Sequence, residues 1–367
     1  MTGSRQDPKL PLDVPTSVQP GTEIDRGRLT EALREIDTGL EPPFRLHQYP
    51  RGFSWLTYRV TDGRGRRCIL RTPPRGVHIA RAHDPAREHR ILSGLKPVYP
   101  LVPRALACRT DANPLGTPFL LMEQVNGAIL RAHPDTVPDA ASMRTIGRCL
   151  VANLVRLHGL DLSVTDLADL GYPDGFVLRQ VRGWQGRYAA ARTENAPDAA
   201  DIAAWLEDNL PESLAPTLIH NDYKHDNLVL APEPPHEIRA VLDWEMATRG
   251  DPLMDLGSSL AYWVTADDPP AMRELQHSPT HLPGNPTRAE VVEQYAAQSG
   301  RAVDDIVFYF VFGNLKLAAI LQQLYRRWAD GLTREARYER LHIEVATCLQ
   351  SARQAMQLGR IDSLYTV

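Results

Sequence analysis

Two short β-rich runs, 228–230 and 238–242, interrupt an otherwise helical half of the chain. The seven residues between them, Ala231-Pro232-Glu233-Pro234-Pro235-His236-Glu237, make an antiparallel hairpin the simplest arrangement. In a hairpin the start of one strand lies beside the end of the other, so Asn227 falls next to Asp243. An amide oxygen and a carboxylate side by side are hard oxygen donors, the kind Mg²⁺ prefers. Asp222 lies on the loop leading into the first strand and falls near the same mouth. A carboxylate there suits a base or orienting group for a hydroxyl attacking a metal-bound phosphate.

The rest of the chain frames this hairpin. Residues 1–21 carry four prolines and little hydrophobic pattern, which predicts a flexible lead-in. Asp25 is placed to cap a first helix, with Leu29, Ala32, Leu33 and Ile36 at helical spacing. Runs 56–61 and 67–71, joined by Asp62-Gly63-Arg64-Gly65, read as a β-hairpin. Asp84-Pro85 opens a helix over 86–95, and after a proline-punctuated stretch a strand is expected at 119–124. Beyond Asn126-Gly127 the pattern turns helical, with segments at 141–158, 201–210, 252–264, 305–327 and 334–356. The division is an N-lobe over 22–125 and a helical C-lobe over 126–367, an α+β organisation.

His220, Asp222 and Asn227 form an H-x-D-x-x-x-x-N pattern, and Asp243-Trp244-Glu245 closes the hairpin. Gly250-Asp251-Pro252-Leu253-Met254-Asp255-Leu256 follows. On these motifs the chain resembles the aminoglycoside phosphotransferase and choline kinase superfamily, in the branch related to phosphotransferase domains attached to acyl-CoA dehydrogenases. The resemblance spans roughly residues 25–330. It implies a protein-kinase-like two-lobed fold, a small β-rich N-lobe with a larger helical C-lobe, and ATP- and Mg²⁺-dependent phosphoryl transfer to a small-molecule hydroxyl. It also implies that Asp222 is the catalytic base, that His220 braces the loop, and that Asn227 and Asp243 hold Mg²⁺. Lys224, His225 and Asp226 fall in the loop's variable middle and read as solvated, with Lys224 able to touch a terminal phosphate. Asp251 reads as a helix cap, and Asp255 as support for the site from that helix.

The N-lobe tests the resemblance separately. Arg71 stands where such proteins usually place a strand lysine, and Glu88 shares one helix face with Ile91, Leu92 and Leu95. A glutamate on an apolar face needs an internal partner, so an Arg71–Glu88 pair holding the nucleotide phosphates is expected; the alternative is a first-turn acid favoured by the helix dipole. The glycine-rich loop departs from the family pattern. Gly52, Ser54 and Thr57 fit, but Arg51 and Trp55 stand where relatives have glycine and asparagine, which opens a second reading, a nucleotide-binding pseudo-kinase module. Residues 122–127 match the hinge, whose backbone at Glu123 to Val125 would meet adenine.

Composition narrows the partners. With 41 basic against 45 acidic residues and no basic block, a nucleic-acid partner is not implied. The longest strongly apolar stretches, such as 307–312, fall short of a membrane span, and the N-terminus lacks a signal-like core, so a cytoplasmic protein is expected. Four scattered cysteines read as buried, reduced thiols. The His220, Asp222, His225 cluster leaves a zinc hydrolase open as a third reading. His158 reads as a packed helix-end residue, and the aromatic group around 308–312 as core with a possible face to the acceptor. Only four lysines occur, Lys9, Lys96, Lys224 and Lys316, and three of them sit where no chemistry is expected. Nothing in the sequence bears on oligomeric state.

Overall fold

In the computed structural model of the chain, the described residues are 9–36, 38–49, 55–74, 84–111, 113–132, 134, 136–274, 278–333 and 336–365. The N-lobe runs α1 (Arg26–Arg34), β1 (Arg45–Tyr49), β2 (Leu56–Thr61), β3 (Arg67–Thr72), α2 (Pro85–Leu95), β4 (Ala105–Arg109) and β5 (Phe119–Glu123). Its five strands form one antiparallel sheet in the order β1-β2-β3-β5-β4. The predicted hairpin is there, with Leu56 opposite Thr72 and Thr61 opposite Arg67. Strands β1 and β4, the latter in the proline-punctuated stretch, were not expected from the sequence.

Alternation along the strands decides what faces the cleft. Successive side chains of a strand point to opposite faces. On β5, Phe119 and Leu121 join a small core with Leu29, Leu33, Tyr58, Val60, Cys68 and Leu70, while Leu120 and Met122 join the large core. On β3, Cys68 and Leu70 enter the small core, which leaves Ile69 and Arg71 on the cleft side. Helix α2 puts Ile91, Leu92 and Leu95 into the large core and so bridges the lobes.

The C-lobe continues with α3 (Ala140–His158), α4 (Phe176–Ala191), α5 (Ala200–Asp208), β6 (Thr217–Ile219), β7 (Leu228–Leu230), β8 (Ile238–Val241) and β9 (Thr248–Gly250). It ends with α6 (Pro252–Ala261), α7 (Pro270–Glu274), α8 (Arg288–Ser299), α9 (Ile306–Ala329) and α10 (Leu341–Leu358). β7 and β8 form the expected hairpin, and β6 pairs with β9. Helix α8 carries a capping box between Thr287 and Glu290 and a left-handed Gly300 stop. The last helix starts at Leu341, later than the expected 334, because a short turn at Ala336–Tyr338 first buries Tyr338.

Helix α9 corrects the hydropathy reading. It is 24 residues long, and an 18-residue window of it, at a mean hydropathy of 1.4, is apolar enough to cross a membrane, but 78% of that window is buried inside the protein. It is a core helix: Phe308, Tyr309, Phe310 and Phe312 are all buried. It crosses α6 so closely that a Cβ on Gly257 would lie 2.2 Å from the Tyr309 carbonyl oxygen, so glycine alone permits the approach.

Two other expectations change. Residues 9–21 do not behave as a free lead-in: Leu10 is buried and donates its N–H to Pro232, Thr16 pairs with Gln48 across β1, and Asp13 donates its N–H to the Gly127 carbonyl at 2.9 Å. Of the four free cysteines, Cys68 and Cys348 are buried, but Cys108 and Cys149 are half-exposed.

Candidate active site

The loop from β6 to β7 is held from beneath by Asp255 on α6. Its Oδ2 accepts the His220 N–H at 2.6 Å and its Oδ1 the Asn221 N–H at 2.7 Å. His158 at the end of α3 points Nε2 at Oδ2 of Asp255, 3.2 Å away, while its Nδ1 meets Tyr295 Oη at 2.7 Å. Burial alone would raise the Asp255 carboxyl, but His158, His220 and the backbone donor hold it below the usual range. His158 is therefore part of the support for the loop, not merely a packed helix end. Asn221 takes a left-handed backbone, φ 67, which asparagine tolerates.

His220 braces the loop as expected. Its Nε2 donates to the Leu242 carbonyl at 2.9 Å, and its Nδ1 accepts the Asp222 N–H at 3.2 Å. Burial pulls its pKa down against the pull of Asp255 and Asp222, consistent with a neutral ring using one donor and one acceptor. With both nitrogens engaged, His220 is not available as a zinc ligand, and the hydrolase reading loses its centre. No group of three or more His, Cys, Asp or Glu side chains able to hold a metal is found among the described residues.

The middle of the loop is not solvated. Lys224 Nζ lies 3.0 and 2.9 Å from the two Asp222 carboxylate oxygens and 4.6 Å from the centre of the Tyr262 ring. Burial would lower its pKa, but Asp222 and Asp226 drive it well above the ordinary lysine value, so it is a cation beside the Asp222 carboxylate. His225 is buried, which pushes its pKa down to about 4.

The hairpin delivers the expected neighbours. Leu242 N–H donates to the Asn227 carbonyl at 2.8 Å, which sets Asp243 beside Asn227. Asn227 Nδ2 donates to the Asp222 carbonyl at 2.8 Å and to its carboxylate at 3.0 Å. The amide nitrogen being committed to Asp222, Oδ1 is the atom left to face the cleft that Asn227 and Asp243 both line. An amide oxygen and a carboxylate are a donor set suited to Mg²⁺. Asp243 has a left-handed backbone, φ 69.

Arg71 reaches the carboxylate expected of it, Glu88, and one more, Asp243. Nη1 lies 2.5 Å from Glu88 Oε1 and Nη2 lies 2.6 Å from Asp243 Oδ1, and the guanidinium sits 5.1 Å from the Trp55 ring centre. Burial works against its charge, but Glu88 and Asp243 outweigh it and raise its pKa. Burial likewise opposes ionisation of Asp243, yet Arg71 holds that carboxyl below its usual range. Trp55, at the position where relatives have asparagine, donates its indole N–H to Glu245, whose pKa is pushed up to about 8 by burial and by Asp243. Gly52 and Ser54 lie outside the described residues. Arg71→Lys is expected to weaken nucleotide binding on the order of tenfold, because a single ammonium cannot bridge Glu88 and Asp243 as a planar fork does. Unchanged affinity by calorimetric titration would make the arginine a codon preference only.

These groups line one cleft of about 320 Å³. Glu123, Gln124 and Val125 line it, as do Asp222, Lys224 and Asp243. Leu317, Ile320, Leu321 and Leu324 of α9 and Leu341 of α10 also line it. The late helices do reach the cleft, but through aliphatic residues and not through the aromatic group. Sequence reasoning missed Lys316, one of the lysines assigned no chemistry. It is buried, and its Nζ donates to the Asn221 carbonyl and lies 3.2 Å from Ser258 Oγ.

A five-stranded lobe with an Arg–Glu pair, and a helical lobe that braces its loop with His220 and presents Asp222, Asn227 and Asp243 to the cleft, define a kinase-like chain. The chain belongs to the phosphotransferase enzyme family, whose model matches residues 45–298. It is similar to acyl-CoA dehydrogenase family member 10 of Mus musculus, at 34% identity over 329 residues, covering 88% of this chain and 30% of that protein. It is also similar to acyl-CoA dehydrogenase family member 11 of Mus musculus, at 33% identity over 290 residues, covering 77% and 36%. The chain thus spans about a third of the length of these relatives. A crystal structure from Ralstonia eutropha, provisionally named an aminoglycoside phosphotransferase, aligns with a TM-score of 0.72 at 26% identity, covering 90% of this chain and 99% of that one. Choline kinase from Cryptosporidium parvum aligns with a TM-score of 0.56 at 12% identity, covering 92% and 100%, a likeness of fold.

Proposed function

We propose that the chain transfers the terminal phosphoryl group of ATP, with Mg²⁺, to a hydroxyl of a small molecule. The observation that carries this reading is the single network in which Asn227 Nδ2 binds Asp222 while Asn227 and Asp243 line the same cleft. Asn227 Oδ1 and the Asp243 carboxylate would hold Mg²⁺, which when bound neutralises phosphate charge. Asp222 orients the acceptor hydroxyl and takes its proton at a carboxylate oxygen. Lys224 supplies positive charge beside it, and Arg71, fixed by Glu88, faces the nucleotide phosphates. The hinge backbone at Glu123 to Val125 meets the base. The aliphatic wall on α9 and α10 favours an acceptor with an apolar body over a polycationic antibiotic. A cytoplasmic location belongs to this reading.

A second reading, nucleotide binding without useful turnover, draws on the ion pairs that already occupy Asp222 and Asp243. An ADP-release screen over hydroxylated metabolites and aminoglycosides separates the two. Turnover is expected with at least one acceptor, and Mg²⁺ is expected to increase the nucleotide-dependent rise in melting temperature. Asp243→Ala is expected to abolish that Mg²⁺ increment. Retention of both the increment and turnover in Asp243→Ala would sink the metal assignment.

A further inference from the structure

Lys316 is a buried cation that phosphoryl transfer as described above leaves unused. It stands on α9 just past Gly313, where a Cβ would come within 2.2 Å of the Gly257 carbonyl oxygen, so this crossing fixes α9 tightly on α6. Ser258, the next residue on α6, offers Oγ to Lys316 Nζ at 3.2 Å. The same ammonium donates to the carbonyl of Asn221, and only 3% of the residue is exposed. Asn221 immediately precedes Asp222, and its backbone lies in the left-handed region at φ 67. Its other donors are held too: the N–H by Asp255 at 2.7 Å and Nδ2 by the Met246 carbonyl at 3.0 Å.

We infer that Lys316 is a positioning residue for Asp222: it pins the Asn221 carbonyl, fixes the left-handed turn that aims the Asp222 carboxylate, and sets a buried positive charge close to it. This rests on Asp222 acting as the base. A carbonyl in that turn has one direction in which to point, and a charged donor holds it more firmly than a neutral one. The charged groups acting on the amine are Asp222 and Asp255, which favour its protonated form, and Lys224 and Arg187, which oppose it. The Trp184 ring lies 5.9 Å away. Burial prevails and brings the amine down to about 8. Lys316 is therefore charged at neutral pH and loses its proton as pH rises through that value. Turnover should fall with it.

Lys316→Met is expected to lower kcat on the order of 10²-fold, the cost of a small misplacement of a reacting group. KM for the nucleotide should stay within about twofold. The alkaline fall in kcat near pH 8 expected of the wild type should be absent from the variant. A second measurement needs no turnover and no lysine substitution. With only four lysines, the full chain labelled at lysine Cε and Nζ gives four side-chain signals, and that of Lys316 is expected to titrate near 8. In Asp222→Asn that titration should move to lower pH, because an attractive charge is gone; a lysine out of electrostatic reach of Asp222 would not respond. Wild-type kcat in Lys316→Met, or a Lys316 titration unmoved by Asp222→Asn, overturns the inference. A wild-type chain inactive towards every acceptor would instead overturn the proposed function, while the coupling between Lys316 and Asp222 is still read.

Discussion

Asp222→Asn is expected to cut phosphoryl transfer by about 10²- to 10⁴-fold, the usual worth of a positioned general base. Nucleotide affinity should be retained, because the groups that face the nucleotide are others. Arg71 remains paired with Glu88 and Asp243, and the hinge residues remain in place. The amide keeps the shape of the side chain and a carbonyl oxygen to receive Asn227 Nδ2, now 3.0 Å from the carboxylate. What it loses is the basicity and the charge that hold Lys224 at 2.9 Å. Steady-state kinetics and nucleotide titration on the same preparation check the split. Turnover like the wild type would remove Asp222 from the chemistry.

The largest expected loss of stability is at Asp255. The carboxylate is fully buried and accepts two backbone N–H groups, from His220 and Asn221, as well as facing His158. Asp255→Ala leaves those donors in a dry interior without a partner, at a cost of about 3 kcal/mol or more. A lower denaturant midpoint should show it, together with loss of turnover, because the turn before Asp222 loses its anchor. The pH dependence has a definite sign. The folded-state pKa lies below its ordinary value, so the stabilisation is present above the unfolded pKa and is lost as pH falls through the folded one. The wild type should therefore lose more stability on acidification than Asp255→Ala does. Equal acid sensitivity would contradict the arrangement.

Much of the site was legible because it is local. Asn227 and Asp243 are brought together by a hairpin whose register follows from two short β-runs and a connection of fixed length. Arg71 and Glu88 belong to separate elements, but each face could be read: strand alternation sets Arg71 against Cys68 and Leu70, and helical spacing sets Glu88 with Ile91, Leu92 and Leu95. The middle of the β6–β7 loop was not legible, because Lys224 and His225 look solvated by type. Only the packing of Tyr262 and Trp263 around them shows that they are not.

By itself, then, the sequence determined the two-lobed plan, the cleft faces of the main elements and the oxygen-donor pair at the hairpin mouth. All of these follow from periodicity and short-range geometry. The tertiary structure alone decided what lies behind the loop. Asp255 comes from 34 residues beyond Asn221, and Lys316 from 95 residues beyond it. Neither separation leaves a periodic trace, since a helix–helix crossing is set by side-chain fit, here by glycines that let α6 and α9 touch backbone to backbone. That contact turns a lysine with no visible role into a buried cation behind the Asp222 loop.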